Sequence, residues 1–285
     1  MAGKHWTKRE LDILENSCSK SISDIQKLLP NRSYSSIVSK RTRAGFHNGR
    51  GYKTENHKDK ISKGKINKSL NLQLFKKWSS DMAYILGFLM ADGYLANVCG
   101  KYDIGIGINK KDRDILVQIK NIIGKNLKIR KRPKNIVELR FGCKKMFNDL
   151  LKLGMIPRKS LRLEFPKVPN EYLQDFIRGY FDGDGFVIIP KDNCLRVGFT
   201  GYKNFIKSLK EIIETLMQYK IGFYILNDKR NNHKLVATSE IHGTKALKFL
   251  DWLYKKANLK MNRKYQKYLE AKQIYGAIVN GSTEI

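Results

Sequence analysis

Apolar positions along the chain follow three regimes. Over the first 45 residues they recur in short helical bursts: Leu11 and Leu14, then Ile25, Leu28 and Leu29, then Ile37 and Val38. Thr7, with Glu10 three residues on, predicts a capped first helix. Ser23 predicts the cap of a second, which Pro30 ends. Ser33 predicts the cap of a third over residues 34–44, with Ile37 and Val38 inward, Lys40, Arg41 and Arg43 outward, and Gly45 as the stop. Apolar residues then thin out until Leu70. Beyond residue 78, strand alternation and helical spacing take turns. Residues 102–109 alternate, as do Val137, Leu139 and Phe141 with Glu138 and Arg140, and Leu195, Val197 and Phe199 with Arg196 and Thr200. Ile115, Leu116, Ile119, Ile122 and Ile123 fit one helix; Phe205, Leu209, Ile212, Ile213 and Leu216 fit another.

One pattern occurs twice. Ile85-Leu86-Gly87-Phe88-Leu89-Met90-Ala91-Asp92-Gly93 returns 92 residues later as Ile177-Arg178-Gly179-Tyr180-Phe181-Asp182-Gly183-Asp184-Gly185. Each copy ends an apolar helical stretch and precedes strand-like sequence. Small residues repeat at i, i+4 in both, Gly87/Ala91 and Gly179/Gly183. A glycine inside a helix costs about 1 kcal/mol relative to alanine, so close helix-to-helix packing is the expected reason. Packed side by side, the helices would bring Asp92 and Asp184 together at the negative ends of both macrodipoles. Divalent cations would relieve that repulsion, and paired carboxylates on Mg²⁺ suit phosphodiester hydrolysis. One Asp-Gly pair alone would read as a turn; two copies with matched small residues favour the metal site.

Charge narrows the partner. The 285 residues hold 56 Lys+Arg against 26 Asp+Glu, a formal net charge of +30, while 41% are hydrophobic, which excludes a disordered polycation. Residues 1–47 carry net +5, residues 48–77 net +7, and residues 78–285 net +18. The middle stretch reads as a basic linker able to follow a phosphate backbone. No apolar run is long enough to span a bilayer, no secretory h-region opens the sequence, and Cys18, Cys99, Cys143 and Cys194 lack zinc spacing. The expectation is a soluble, intracellular protein (cytoplasm or nucleoid of a prokaryote or phage-infected cell, or an organelle) with nucleic acid as its partner.

The two motif copies carry a resemblance. Residues 78–275 resemble a single-chain LAGLIDADG homing endonuclease, with Phe176 to Gly185 as the better copy, preceded by Lys159-Ser160 and Phe165-Pro166. Met90 departs from the motif where an acid is frequent, and Asp182 at the same place of the second copy reads as structural. The resemblance implies an α+β fold of tandem α-β-β-α-β-β-α repeats (78–169 and 170–285) with pseudo-two-fold symmetry. It implies Mg²⁺ (or Mn²⁺) at Asp92 and Asp184, with Gly93 and Gly185 beside them. It further implies polar helpers at Asn109 and Thr200, with Arg113 one turn after Asn109, and basic ones at Lys159 and Lys264 of the pairs Arg158-Lys159 and Arg263-Lys264. Outward strand faces would line the DNA major groove through Lys128, Arg130, Arg132, Glu138, Arg140, Arg196, Tyr224 and Lys234.

Residues 1–47 resemble a Myb/SANT-like helix-turn-helix, on Trp6-Thr7, Glu10, Leu14 and Asn31-Arg32-Ser33 followed by Ile37, Lys40, Arg41 and Arg43. It would touch DNA through Arg32, Lys40, Arg41 and Arg43, with Arg50 from the linker; Trp6 reads as core. A small protein-interaction bundle is the other reading of this segment. For the whole chain, the expected function is a monomeric site-specific double-strand DNA endonuclease that leaves short 3′ overhangs at a long asymmetric target. An RNA maturase acting on intron RNA, or a DNA-binding regulator with an inactive nuclease fold, are the alternatives. His47-Asn48 and Asn56-His57 lack the ββα context of an HNH nuclease, and no terminal His-Asn pair suggests an intein.

Overall fold

A computed structural model describes residues 5–17, 20–43, 70–98, 100–159, 162–191, 194–226 and 235–281. The chain divides into two units: a small N-terminal one, with which residues 96–98 and 100–102 are grouped, and a large one over 69–95 and 103–285.

The small unit holds α1 (Lys8–Asn16), α2 (Ile22–Leu28) and α3 (Tyr34–Arg43). Thr7 and Glu10 form the expected capping box. The second cap is Ser21 rather than Ser23: its hydroxyl accepts from the Asp24 amide at 3.1 Å. Ser33 accepts from the Ser36 amide at the head of α3. Leu14, Ile25, Leu29 and Ile37 form the core, with Trp6, Ile13 and Ile22 packed on it. The phase of α3 differs from the expected one. Val38 is 37% exposed while Arg41 is only 3% exposed and donates to the Lys20 carbonyl at 3.3 Å. The long arginine stem fills space between helices that a valine could not reach across.

In the large unit, residues 70–77 pack onto the first repeat rather than continuing the linker. Leu74 and Phe75 are buried, and the Asn71 amide donates to the Ile123 carbonyl at 2.8 Å. The first repeat then runs α4 (Ser80–Asp92), β1 (Gly93–Val98), β2 (Lys101–Asn109), a 3₁₀ turn (Lys110–Asp112), α5 (Arg113–Ile123), β3 (Ile129–Arg132), β4 (Ile136–Gly142) and α6 (Lys144–Lys152). The second runs α7 (Leu173–Asp184), β5 (Gly185–Ile188), β6 (Arg196–Tyr202), α8 (Lys203–Met217), β7 (Gly222–Leu226), β8 (Val236–His242) and α9 (Gly243–Tyr254), followed by a further helix α10 (Asn262–Gly281). The expected α-β-β-α-β-β-α order holds in both, and the two sheets share the strand order first-second-fourth-third, β1-β2-β4-β3 and β5-β6-β8-β7.

α4 and α7 pack backbone to backbone. A methyl on Gly87 would collide with the Phe176 carbonyl oxygen, and one on Gly179 with the Tyr84 carbonyl oxygen. Only hydrogen fits at either place, which explains why both helices tolerate a poor helix former. α4 is consequently buried on all sides from Met82 to Ala91.

The two cores are built from different side chains. The first sheet backs onto Ile104, Ile106, Ile108, Ile115, Leu116, Ile119 and Leu139. The second is aromatic: Tyr180 lies 4.4 Å from Phe205, and Phe181 is edge-on to Phe199 at 5.3 Å.

Candidate active site

The motif helices carry Asp92 and Asp184 at their last residues. A methyl on Gly183 of α7 would sit 3.4 Å from Asp92 Oδ2, so the first carboxylate lies against the other helix at the residue directly before the second. Burial and then the charge of Asp184 push the Asp92 carboxyl up to about 6. Burial raises Asp184 too, against the pull of Lys159 and Lys264 and a hydrogen bond from the Tyr180 hydroxyl. Gly93 and Gly185 open β1 and β5, their amides donating back to the Leu89 and Phe181 carbonyls.

The two lysines singled out from the sequence do equivalent things. Lys159 Nζ donates to the Met90 carbonyl at 2.8 Å and to that of Ala91. Lys264 Nζ donates to the carbonyls of Phe181, Asp182 and Gly183 at 2.6, 2.8 and 3.2 Å. Each cation thus satisfies the orphan carbonyls of its own motif helix and offsets the negative end of the dipole. Burial lowers both pKa values, to about 8 for Lys264, while the aspartates oppose the shift. Because the lysines occupy the helix-end carbonyls, two carboxylates are left as hard oxygen donors. That donor set suits Mg²⁺ or Mn²⁺, which fill the rest of their shell with water and phosphate. Among the described residues there is no cluster of three or more metal-ligating side chains.

Asp182 takes no part in this pair. It is fully buried and accepts from the Tyr84 hydroxyl (2.6 Å), the Tyr254 hydroxyl (3.0 Å) and the Met261 amide (2.7 Å). Arg178, also buried, donates to the Leu259 and Leu253 carbonyls and pairs with Asp175. Both charges therefore anchor the segment that joins α9 to α10.

The polar helpers are placed less symmetrically. Asn109 ends β2, and its side chain accepts from the Lys111 amide at 3.1 Å. In the second repeat the strand-ending residue opposite the start of the fourth strand is Tyr202, facing Val236 as Asn109 faces Ile136. Thr200 lies two residues earlier, its hydroxyl 3.0 Å from that of Thr238. Arg113 opens α5 and is exposed.

On the first sheet, Arg130 lies directly opposite Glu138. Glu138 accepts from the Tyr94 hydroxyl at 2.8 Å and from Arg132, and Arg140 donates to Asp103 at 2.6 Å. The Tyr94 ring crosses Gly105 to get there; in the second sheet the Phe186 ring crosses Gly198 in the same way, without a hydroxyl. Lys128, Arg130 and Arg196 are exposed, as is Tyr224.

In the small unit, Arg32 was expected at DNA but is 7% exposed. It binds Glu10 through two 2.8 Å bonds and the His5 carbonyl, and covers the Trp6 ring at 4.4 Å. Arg32 and Arg41 are thus packing residues here. Lys40 is half-buried, 5.9 Å from the Trp6 ring. Arg50, Lys234 and the side chain of Arg43 lie outside the described residues. The cross-repeat pair Asp112–Arg263 and the three-way coordination of Asp182 have no local signal in sequence; each joins residues more than 70 apart.

No protein-family model and no curated protein matches the chain. Solved structures do. The chain is similar to LAGLIDADG homing endonuclease I-GzeII in complex with its DNA target, at 14% identity and TM-score 0.50, over 73% of this chain and 94% of that one. It is similar to the I-LtrWI LAGLIDADG homing endonuclease bound to target DNA, at 13% identity and TM-score 0.51, over 74% and 92%. It is also similar to LAGLIDADG meganuclease I-AabMI bound to uncleaved DNA, at 14% identity and TM-score 0.50, over 70% and 91%. The large unit has the fold of the LAGLIDADG homing endonucleases.

Proposed function

We propose that the chain is a monomeric, site-specific double-strand DNA endonuclease that leaves short 3′ overhangs, using Mg²⁺ or Mn²⁺ held by Asp92 and Asp184. What carries this reading is the convergence of two half-buried carboxylates at the ends of helices locked together through Gly87 and Gly179, with a lysine capping each helix end. A divalent cation there would supply Lewis acidity, favouring ionisation of an attacking water and stabilising charge on the scissile phosphate and leaving oxygen. The chain's own groups do the rest. Asp92 and Asp184 hold the cation, the Tyr180 hydroxyl orients Asp184, and Lys159 and Lys264 keep both helix ends in place.

Asn109 and Arg113, on the corner between β2 and α5, would hold water or a phosphate oxygen. The outward strand faces, with Lys128, Arg130, Arg132, Arg140 and Arg196, would bind DNA, pairing with base edges and phosphates. The small unit serves as a helix-turn-helix, supporting a longer contact through the surface of α3.

The test is incubation of the full chain with Mg²⁺ and a supercoiled plasmid library of randomised target sites. Selected sites linearised by wild type, and left uncut but still bound by Asp184→Ala, support the nuclease. Tight binding with no cut at any site would replace it with a regulator; preferential binding of intron RNA would replace it with a maturase.

A further inference from the structure

Arg158 and Arg263 hold equivalent places, each directly before the lysine that caps its motif helix. Their surroundings differ. Arg263, in the first turn of α10, grips the carboxylate of Asp112 with both ends of its fork, Nε to Oδ1 at 2.9 Å and Nη2 to Oδ2 at 3.1 Å. Asp112 is only 5% exposed and belongs to the other repeat, in the 3₁₀ turn between Asn109 and Arg113. Counting on from the strand ends Asn109 and Tyr202, the second repeat has Phe205 at that place, fully buried among aromatic rings. Among the described residues Arg158 makes no ion pair with Asp or Glu. The bridge therefore breaks the pseudo-symmetry.

Two consequences follow from where it lies. The fork pins the β2–α5 corner from the opposite repeat, one residue from Lys264. It also neutralises a carboxylate close enough that its charge is felt at Asp92. Without a partner, a buried carboxylate there would add to the negative field of the aspartate pair and would be drawn toward any cation held by it.

We propose that Arg263 is a positioning residue of the metal site, cancelling Asp112 and fixing the Asn109–Arg113 corner so that Asp92 and Asp184 alone hold the cation. This rests on the metal-dependent reading above. The site becomes unequal: the half built around the first repeat's corner depends on a residue of the second, and among the described residues Arg158 forms no matching ion pair.

Titration calorimetry of Mn²⁺ into the full chain tests it without reference to cleavage. Arg263→Gln exposes the Asp112 charge and should bind Mn²⁺ about fivefold more tightly. Asp112→Asn leaves the guanidinium unopposed and should bind about fivefold more weakly. The double variant should return to within twofold of wild type, and Arg263→Lys should stay near it. Shifts of the same sign in both single variants, or none beyond twofold, overturn the proposal, as does a double variant that fails to recover. If Arg263→Gln does not fold, as judged by its melting curve, the sign of the Asp112→Asn shift decides alone. Wild type that binds no Mn²⁺ overturns the metal reading itself, a separate result. On a cleavable plasmid, Arg263→Gln should raise the ratio of nicked to linear product at least fivefold with DNA affinity unchanged; an unchanged ratio counts against the proposal.

Discussion

The two motif helices share a backbone but bury different chemistry. Aligned on Asp92 and Asp184, Leu86 corresponds to Arg178 and Met90 to Asp182. From Met82 to Ala91 the first helix carries no charge; the second hides an arginine and an aspartate, both with relative exposure of 1% or less. The extra charges bind the segment between α9 and α10 through Leu253, Tyr254, Leu259 and Met261, and Asp182 also accepts from Tyr84 of the first helix. Where each helix meets the other, Gly87 and Gly179 match, while the residues they meet differ: Phe176 and Tyr180 against Gly87, Tyr84 and Phe88 against Gly179. A buried polar network is maintained only while every member is satisfied, and here all the acceptors of Asp182 find donors.

That contrast can be broken at four depths. The largest effect belongs to the shared contact: Gly87→Val or Gly179→Val drives a side chain into backbone, and either should abolish cooperative thermal unfolding, a loss of about 4 kcal/mol or more. Next comes the divergent position. Asp182→Ala should cost about 3–5 kcal/mol by leaving two tyrosine hydroxyls and an amide unpaired, whereas Met90→Leu, its apolar counterpart, should cost under about 1.5 kcal/mol in urea unfolding.

The third is a gain. In the folded chain Asp92 titrates at about 6 rather than 3.8, because burial and Asp184 raise it. Between those values the folded state holds a proton that the unfolded state has released, so stability falls as pH rises through that window. Above it the ionised pair costs about 3 kcal/mol. Asp92→Asn should therefore stabilise the metal-free protein by about 2–3 kcal/mol at pH 8 and by nothing below pH 4, while eliminating cleavage. A melting series across pH measures both. The smallest effect is on the outward sheet faces. Glu138→Gln loosens a partly exposed ion pair with Arg132 and should cost under about 1 kcal/mol, as should Thr238→Val at the matching place. Their DNA preferences should change while stability barely moves.

Much of this was legible in the chain. The repeat of Gly87 and Gly179, the two terminal aspartates and the alternating strands announce themselves through spacing, because each answers to a local period or to the duplicated pattern; Lys159 and Lys264, 105 residues apart rather than 92, are reached only through the family resemblance. What escaped depends on phase and register. Arg41 lies one turn on from the buried Ile37 and shares its face, whereas Val38 is rotated by about 100° from Ile37 toward solvent. Ser21 wins the cap from Ser23 because Asp24 can then bond back to it. The resemblance pairs Thr200 with Asn109, whereas strand pairing makes Tyr202 the equivalent. The partners of Arg132, Arg140 and Arg263 lie across strands or repeats, where sequence carries no distance information.

The glycine contact between α4 and α7 has a consequence for synthesis. The two contact surfaces are 92 residues apart, so at about 5–20 residues per second a ribosome finishes α4 roughly 5–20 seconds before α7 exists. Through that interval a helix apolar on every side has no native surface to cover it. The first repeat is therefore an obligate half-product, exposed to chaperones and to its own copies on neighbouring nascent chains, until the second arrives to close the axis.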